Sequence, residues 1–155
     1  MKRCLPTPSI WYLPHHPVIN PKKPEKLRVV FGCAAKFQGK SLNDRLLQGP
    51  DWTTPPIDVL CRFRVSKVAL SADIREMFHQ VKIPVGERDA LRFLWWEGSD
   101  RDNTVVNCRM TVHPFGAISS PFCANYALRE SANKHGDLVH WTMVESVSRN
   151  FYADD

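Results

Sequence analysis

Three carboxylates sit where short apolar runs give way abruptly to polar chain. Asp73 follows the alternating VALSA in KVALSADIREMFHQVKI (67–83), and Asp154 and Asp155 close FYADD (151–155). Each has a plain reading: an Asp ahead of a helical turn is a common cap, and acids near a chain end are commonly solvated. The sharper reading treats both stretches as buried strands that hand acids to a tight turn. Carboxylate oxygens held at such tips are hard ligands suited to a divalent metal. Asp73 and the terminal pair are far apart in the chain, so only a fold that sets two strand ends side by side joins them.

The elements around them follow from hydrophobic period. Val68 and Leu70 against Ala69 and Ser71 alternate as in a strand. Ile74, Met77 and Phe78 then stand at i, i+3 and i+4, a single helical turn that tucks Phe78 beneath the acid. LRFLWW (91–96), the polar loop EGSDRDN (97–103) and TVVNCRMTV (104–112) predict a β-hairpin. In HPFGAISSPFCANYALRESANKHG (113–136), Gly116 marks a turn, Ser120 and Pro121 open a helix and Gly136 stops it. LVHWTMVESVSRN (138–150), with Val139, Met143 and Val147 at steps of four, predicts a last helix.

Upstream, residues 1–27 hold six of the twelve prolines and read as an extended, irregular covering segment. LRVVF (27–31) suits a strand and SLNDRLLQGPD (41–51) a short helix that starts at Ser41 and stops at Gly49-Pro50. Pro55 and Pro56 break the chain again before IDVLCRFRV. His15 and His16, adjacent on an extended chain, point to opposite sides and do not make a joint metal site.

Composition bounds the class. A chain of 155 residues, 43% hydrophobic and 24% charged, suits one globular domain with a real core. The net charge of +5, from 21 Lys and Arg against 16 Asp and Glu, favours an anionic partner such as nucleic acid. Five widely spaced cysteines without a CxxC pair signal neither zinc nor a disulfide framework, so an intracellular, cytoplasmic setting is expected. No signal peptide and no apolar run of membrane-spanning length is found, and no membrane partner is expected.

The order of motifs carries a resemblance. SADIREMF resembles motif A of the reverse transcriptases, HPFGAISSPF motif B, and FYADD motif C, the YxDD box. WYLPHHPVINP, KFQGKSLND and LRFLWW make the chain similar, more narrowly, to the BEL/Pao class of long-terminal-repeat retrotransposons. The resemblance spans nearly everything from Trp11 onward. It implies an α+β, right-hand polymerase fold, comprising fingers and palm with an antiparallel palm sheet and packed helices. Residues 1–66 would be the N-terminal segment and fingers, 67–83 palm motif A, 84–112 a fingers hairpin and 113–155 palm motifs B and C, all in one domain. The thumb would be absent, because the chain ends at the turn of the motif C hairpin; alone it is expected to bind nucleic acid in a salt-sensitive way and to be inactive in synthesis.

What the resemblance implies for the site is specific. Two Mg²⁺ ions roughly 3.5–4 Å apart, with Mn²⁺ as an alternative, would activate a primer 3′-hydroxyl and neutralise the leaving pyrophosphate. Asp73 and Asp154 would be the main ligands, Ile74 would lend a backbone carbonyl, and Asp155 would be the third acid. Arg28 would contact the triphosphate of a deoxynucleotide, where its planar fork suits phosphate; the plain reading is a solvated charge on an edge strand. Lys22, Lys23 and Lys26 would reach triphosphate or template backbone. Phe78 would be the steric gate against a ribose 2′-hydroxyl, Phe115 and Gly116 would line the nucleotide pocket, and Tyr152 would pack near the primer terminus. Two departures stand out. Phe115 occupies a place where retroviral enzymes carry glutamine, and Gly32 stands where this class carries an acid. The partners implied are an RNA or DNA template-primer and deoxynucleoside triphosphates, with the oligomeric state left open. The other functional reading is a non-catalytic, basic nucleic-acid-binding remnant of a retroelement.

Overall fold

A computed structural model describes residues 10–52, 54–65, 67–138 and 140–151. The fold is mixed α+β, with two small antiparallel sheets and three α-helices among these residues. It divides into two compact units, each built from two separate stretches. One combines the chain up to Leu47 with Lys82–Ile118, and the other combines Gln48–Val81 with the chain from Ser119 on.

In the first unit, β1 (His15–Asn20) and β2 (Lys23–Phe31) pair in antiparallel register from His15 opposite Phe31 to Asn20 opposite Lys23. The proline-rich segment is therefore not irregular over these residues. In a two-stranded ribbon each strand has an open edge, so a missing proline N–H breaks no ladder, and the Asn20 side chain accepts from the Lys22 amide at 2.9 Å to tighten the reversal. The expected second hairpin forms, with β3 (Arg92–Trp96) against β4 (Val105–Arg109). Residues 11–13 dock beside it through hydrogen bonds between Trp11, Leu13 and Arg92. Leu13, Cys33, Leu42, Ile83, Leu91 and Ala117 form the buried core. At its flank, His15, Phe31, Phe93 and Trp95 pack as rings, Phe31 and Phe93 with centroids 5.1 Å apart. His16 faces the other side of the strand and is exposed.

The helix expected over 41–51 is a correction: only one turn forms. Ser41 and Asp44 make a reciprocal cap, Ser41 N to Asp44 Oδ2 at 2.8 Å and Asp44 N to Ser41 Oγ at 3.2 Å. The turn then fails to propagate, because Gly49 adopts a positive φ of 83° and Pro50 follows it. Gly32 has a packing reason. A Cβ there would lie 3.2 Å from the Pro14 ring, and its N–H donates to the Pro14 carbonyl at 2.8 Å.

In the second unit, α1 (Pro56–Phe63) occupies the stretch after the proline pair, with Pro56 in the first turn where a missing N–H costs nothing. The α2 helix (Ser120–Lys134) has Ser119, not the expected Ser120, in its N-cap position, with no side-chain capping bond, and α3 (Trp141–Asn150) begins at the His140 cap. Arg62 of α1 donates to Asn150 Oδ1 at 2.9 Å and to the Arg149 carbonyl, closing the open end of α3. Trp52 packs on Phe122 and Tyr126 of α2, and the Arg129 guanidinium lies over its ring at 5.3 Å.

The strand expected at 68–71 is not formed. Val68 and Leu70 are 75% and 88% exposed, and the segment has no ladder partner among the described residues. An alternating pattern makes a strand only when a neighbour takes its backbone hydrogen bonds. Both sheets lie in the first unit, so the expected palm sheet is absent among the described residues of the second.

Candidate functional site

The candidate residues fall into two sets, one in each unit. In the second unit, Asp73 is exposed and irregular in backbone rather than at a strand end, and Ile74 is half-buried. The Asp73 carboxylate makes no hydrogen bond or ion pair with the described residues, and the cap of the following 3-10 turn (Met77–Gln80) is Glu76. The capping role is thus excluded for Asp73. Its oxygens are hard donors turned to solvent, which suits a magnesium ligand. Glu76 holds a left-handed φ of 52°, uncommon for a residue with a Cβ. That reversal brings Phe78 inward to 5% exposure in the turn that packs on α2. The helical turn expected through Ile74 does not form, since residues 71–74 are irregular and the 3-10 turn starts at Met77, but Phe78 is buried. Tyr152, Asp154 and Asp155 lie outside the described residues, and among the described ones no group of three metal-binding side chains occurs.

In the first unit, Arg28 is exposed on β2 opposite Val18. Strand alternation puts Lys26, Arg28 and Val30 on one face, with Val29 and Phe31 on the other. Arg28 is three residues from Phe31, about 10 Å along the strand. The Pro114–Gly116 turn lies against that same end of β2. Pro114 is fully buried, Phe115 is 50% exposed, and Gly116 has a φ of 88° that a side chain would strain. A Cβ on Gly116 would stand 3.5 Å from the Phe31 carbonyl oxygen.

A residue that sequence reasoning passed over holds this turn. Asn43 Nδ2 donates to the Gly116 carbonyl at 3.0 Å, and Asn43 Oδ1 accepts from the Ile118 amide at 3.0 Å. Its own amide donates to the Cys33 carbonyl at 3.1 Å. Asn43 sits between the capping pair Ser41 and Asp44, and nothing in its spacing marks it. Only the contact across the chain does.

Three groups nearby have shifted titration. Burial pushes the Cys33 thiol up to about 11. Burial also holds His113, which leads into Pro114, below the ordinary histidine value, against the opposing pull of the Glu87 charge. The Ser41 backbone and hydroxyl hydrogen bonds lower the Asp44 carboxyl.

No family model, no curated protein and no solved structure matches this chain. No helix among the described residues is long and apolar enough to cross a membrane.

Proposed function

We propose that this chain is the fingers and palm region of an RNA-directed DNA polymerase, a reverse transcriptase of the BEL/Pao retrotransposon class. One observation carries the reading furthest. The chain passes between its two compact units at residues 47–48, 81–82 and 118–119. The fingers-and-palm alternation implied by the motifs also crosses three times, at 66–67, 83–84 and 112–113, so the second crossing lies two residues from the observed one, the third six and the first nineteen. Arg28 and the Phe115–Gly116 turn belong to one unit, although the motifs assign that turn to the palm and Arg28 to the fingers, and Asp73 and Phe78 belong to the other.

The roles follow from residue chemistry. Asp73, with Asp154, Asp155 and the Ile74 carbonyl, offers oxygen ligands for two Mg²⁺ ions, or Mn²⁺ in their place. Those ions, when bound, supply charge neutralisation at the reacting phosphate and a lowered hydroxyl pKa. Arg28 binds triphosphate oxygens through paired N–H donors. Phe78, rigid because it is buried, excludes a 2′-hydroxyl by bulk. The Phe115–Gly116 turn shapes the wall of the nucleotide pocket, and Tyr152 supports the primer end. The substrates are deoxynucleoside triphosphates on an RNA or DNA template-primer, and the net charge of +5 suits that polyanion.

The test is primer extension on an RNA template by the polypeptide of the whole reading frame that carries this chain. Mg²⁺-dependent extension is expected, with Asp73→Asn reducing it at least about a thousandfold, the scale lost with a principal charge-stabilising group. Asp73 is exposed and unpaired, so the thermal midpoint of the variant stays unchanged. Salt-sensitive binding without any extension by the parent would instead identify a non-catalytic retroelement remnant. Near-normal extension by the variant would remove Asp73 from the metal site.

A further inference from the structure

We propose that Asn43 is a positioning residue for nucleotide binding, its side-chain amide setting the Phe115–Gly116 turn against the end of the strand that carries Arg28. The inference rests on the polymerase reading above and deepens it.

A primary amide has one acceptor oxygen and donor N–H groups in a plane. Asn43 uses both ends on one short stretch: it donates to the carbonyl of Gly116 and accepts from the amide of Ile118. This is the pairing a strand neighbour would give to residues i and i+2, supplied by a side chain to residues that belong to neither of the described β-ladders. Asn43 is fixed in turn by its amide bond to the Cys33 carbonyl, and Cys33 N donates to the Phe31 carbonyl at 3.1 Å. A continuous hydrogen-bonded path therefore runs from the end of β2 through Cys33 and Asn43 to the turn. Phe115, half exposed, stands between Pro114 and Gly116 in the turn on which that path ends.

The clamp adjusts position rather than holding the fold. Its partners on Gly116 and Ile118 are near the surface, where water can replace a lost hydrogen bond. Removing the amide then leaves the core residues around Ala117 packed, while the turn gains freedom relative to Arg28. A ligand gripped at its triphosphate by one and at its sugar and base by the other would feel that freedom as weaker binding. The loss of one net interaction of ordinary size corresponds to about tenfold in affinity.

Two measurements on Asn43→Ala and Asn43→Asp test this. In the 155-residue chain, hydrogen exchange of the Ile118 amide should accelerate at least about tenfold in Asn43→Ala. Asn43→Asp, which keeps an acceptor for Ile118 but turns a carboxylate toward the Gly116 carbonyl, should protect that amide more than alanine does. In primer extension by the reading-frame polypeptide, Asn43→Ala should raise KM for the deoxynucleotide about tenfold with kcat within about twofold, each tenfold being one lost net interaction of ordinary size. Unchanged exchange at Ile118 would overturn the clamp. Faster exchange with an unchanged KM, or a fall in kcat and thermal midpoint with KM intact, would reduce Asn43 to a structural residue and leave the polymerase reading standing. A parent that extends no primer removes that reading and this role with it, while the exchange result still reports on the turn.

Discussion

At the scale of single residues, Phe78 and His113 make the most exposed claims. Phe78 is 5% exposed, held inward by the left-handed Glu76 just ahead of it. A gate works by clash, and a clash needs a ring that cannot swing away. On the proposed polymerase function, Phe78→Val in the reading-frame polypeptide should therefore admit ribonucleotides, raising ribonucleotide over deoxynucleotide incorporation at least about tenfold, at a stability cost of about 2 kcal/mol for the emptied volume. A valine enzyme as selective as the parent would end the gate assignment. His113 gives a pH dependence with a definite sign. Its folded-state pKa lies below the ordinary histidine value of 6.5, because burial penalises the charged ring more than Glu87 favours it. The unfolded chain thus binds a proton more readily than the native one. The contribution of His113 is present above pH 6.5 and is lost as pH falls through that region toward the lowered folded value. Thermal midpoints from pH 8 to pH 5 should fall more steeply for the parent than for His113→Gln, and superimposable profiles would show that another group governs acid loss.

At the scale of elements, position of glycine and cap decides where helices form. SLNDRLLQGPD has helical spacing and an intact capping box, and still makes only one turn. Its limit is Gly49, whose φ of 83° points the chain away and whose α-carbon approaches the Phe122 ring so closely that a Cβ would stand 2.5 Å from it. The contact seats the loop on α2 and brings Trp52 against Phe122, Tyr126 and Arg129. Gly49→Ala should displace this loop through both backbone strain and collision, costing about 2 kcal/mol or more. Trp52 emission would shift to the red and the thermal midpoint would drop. An unchanged spectrum and midpoint would mean that the loop is seated by other contacts.

At the scale of the whole molecule, charge and division of the chain matter more than any one contact. The β1–β2 ribbon concentrates Lys22, Lys23, Lys26 and Arg28, all exposed. Each phosphate neutralised by a cation releases a counterion, so affinity for a polyanion falls with salt at a slope set by the number of such contacts. The 155-residue chain should bind an RNA–DNA primer-template with a log Kd that rises linearly with log salt. Replacing Lys22, Lys23 and Lys26 together by alanine should flatten it by up to about 3, at roughly 0.9 per contact on a duplex. A slope that survives the triple replacement would place the nucleic acid on another face.

The sequence by itself determined the elements whose signals are local. The hairpin over 92–109 follows from two β-branched and aromatic runs around a polar loop. The α2 start follows from serine and proline, and α3 from the apolar step between Met143 and Val147, Val139 lying outside the described residues. The motif order and the charge are also legible there, and they carry the functional proposal. Tertiary structure decided what depends on a neighbour. Residues 15–20 became a strand because 23–31 runs back beside them, despite their prolines. Residues 68–71 alternate like a strand and, with no described partner for their hydrogen bonds, stayed irregular and exposed. The division of one chain into two interleaved units is a fact of contacts between distant segments. So is Asn43: its type and spacing are those of any turn residue, and only the approach of Gly116 and Ile118 to its amide gives it a task. Periodicity records which face of an element is apolar; it holds no record of which segment will lie against it.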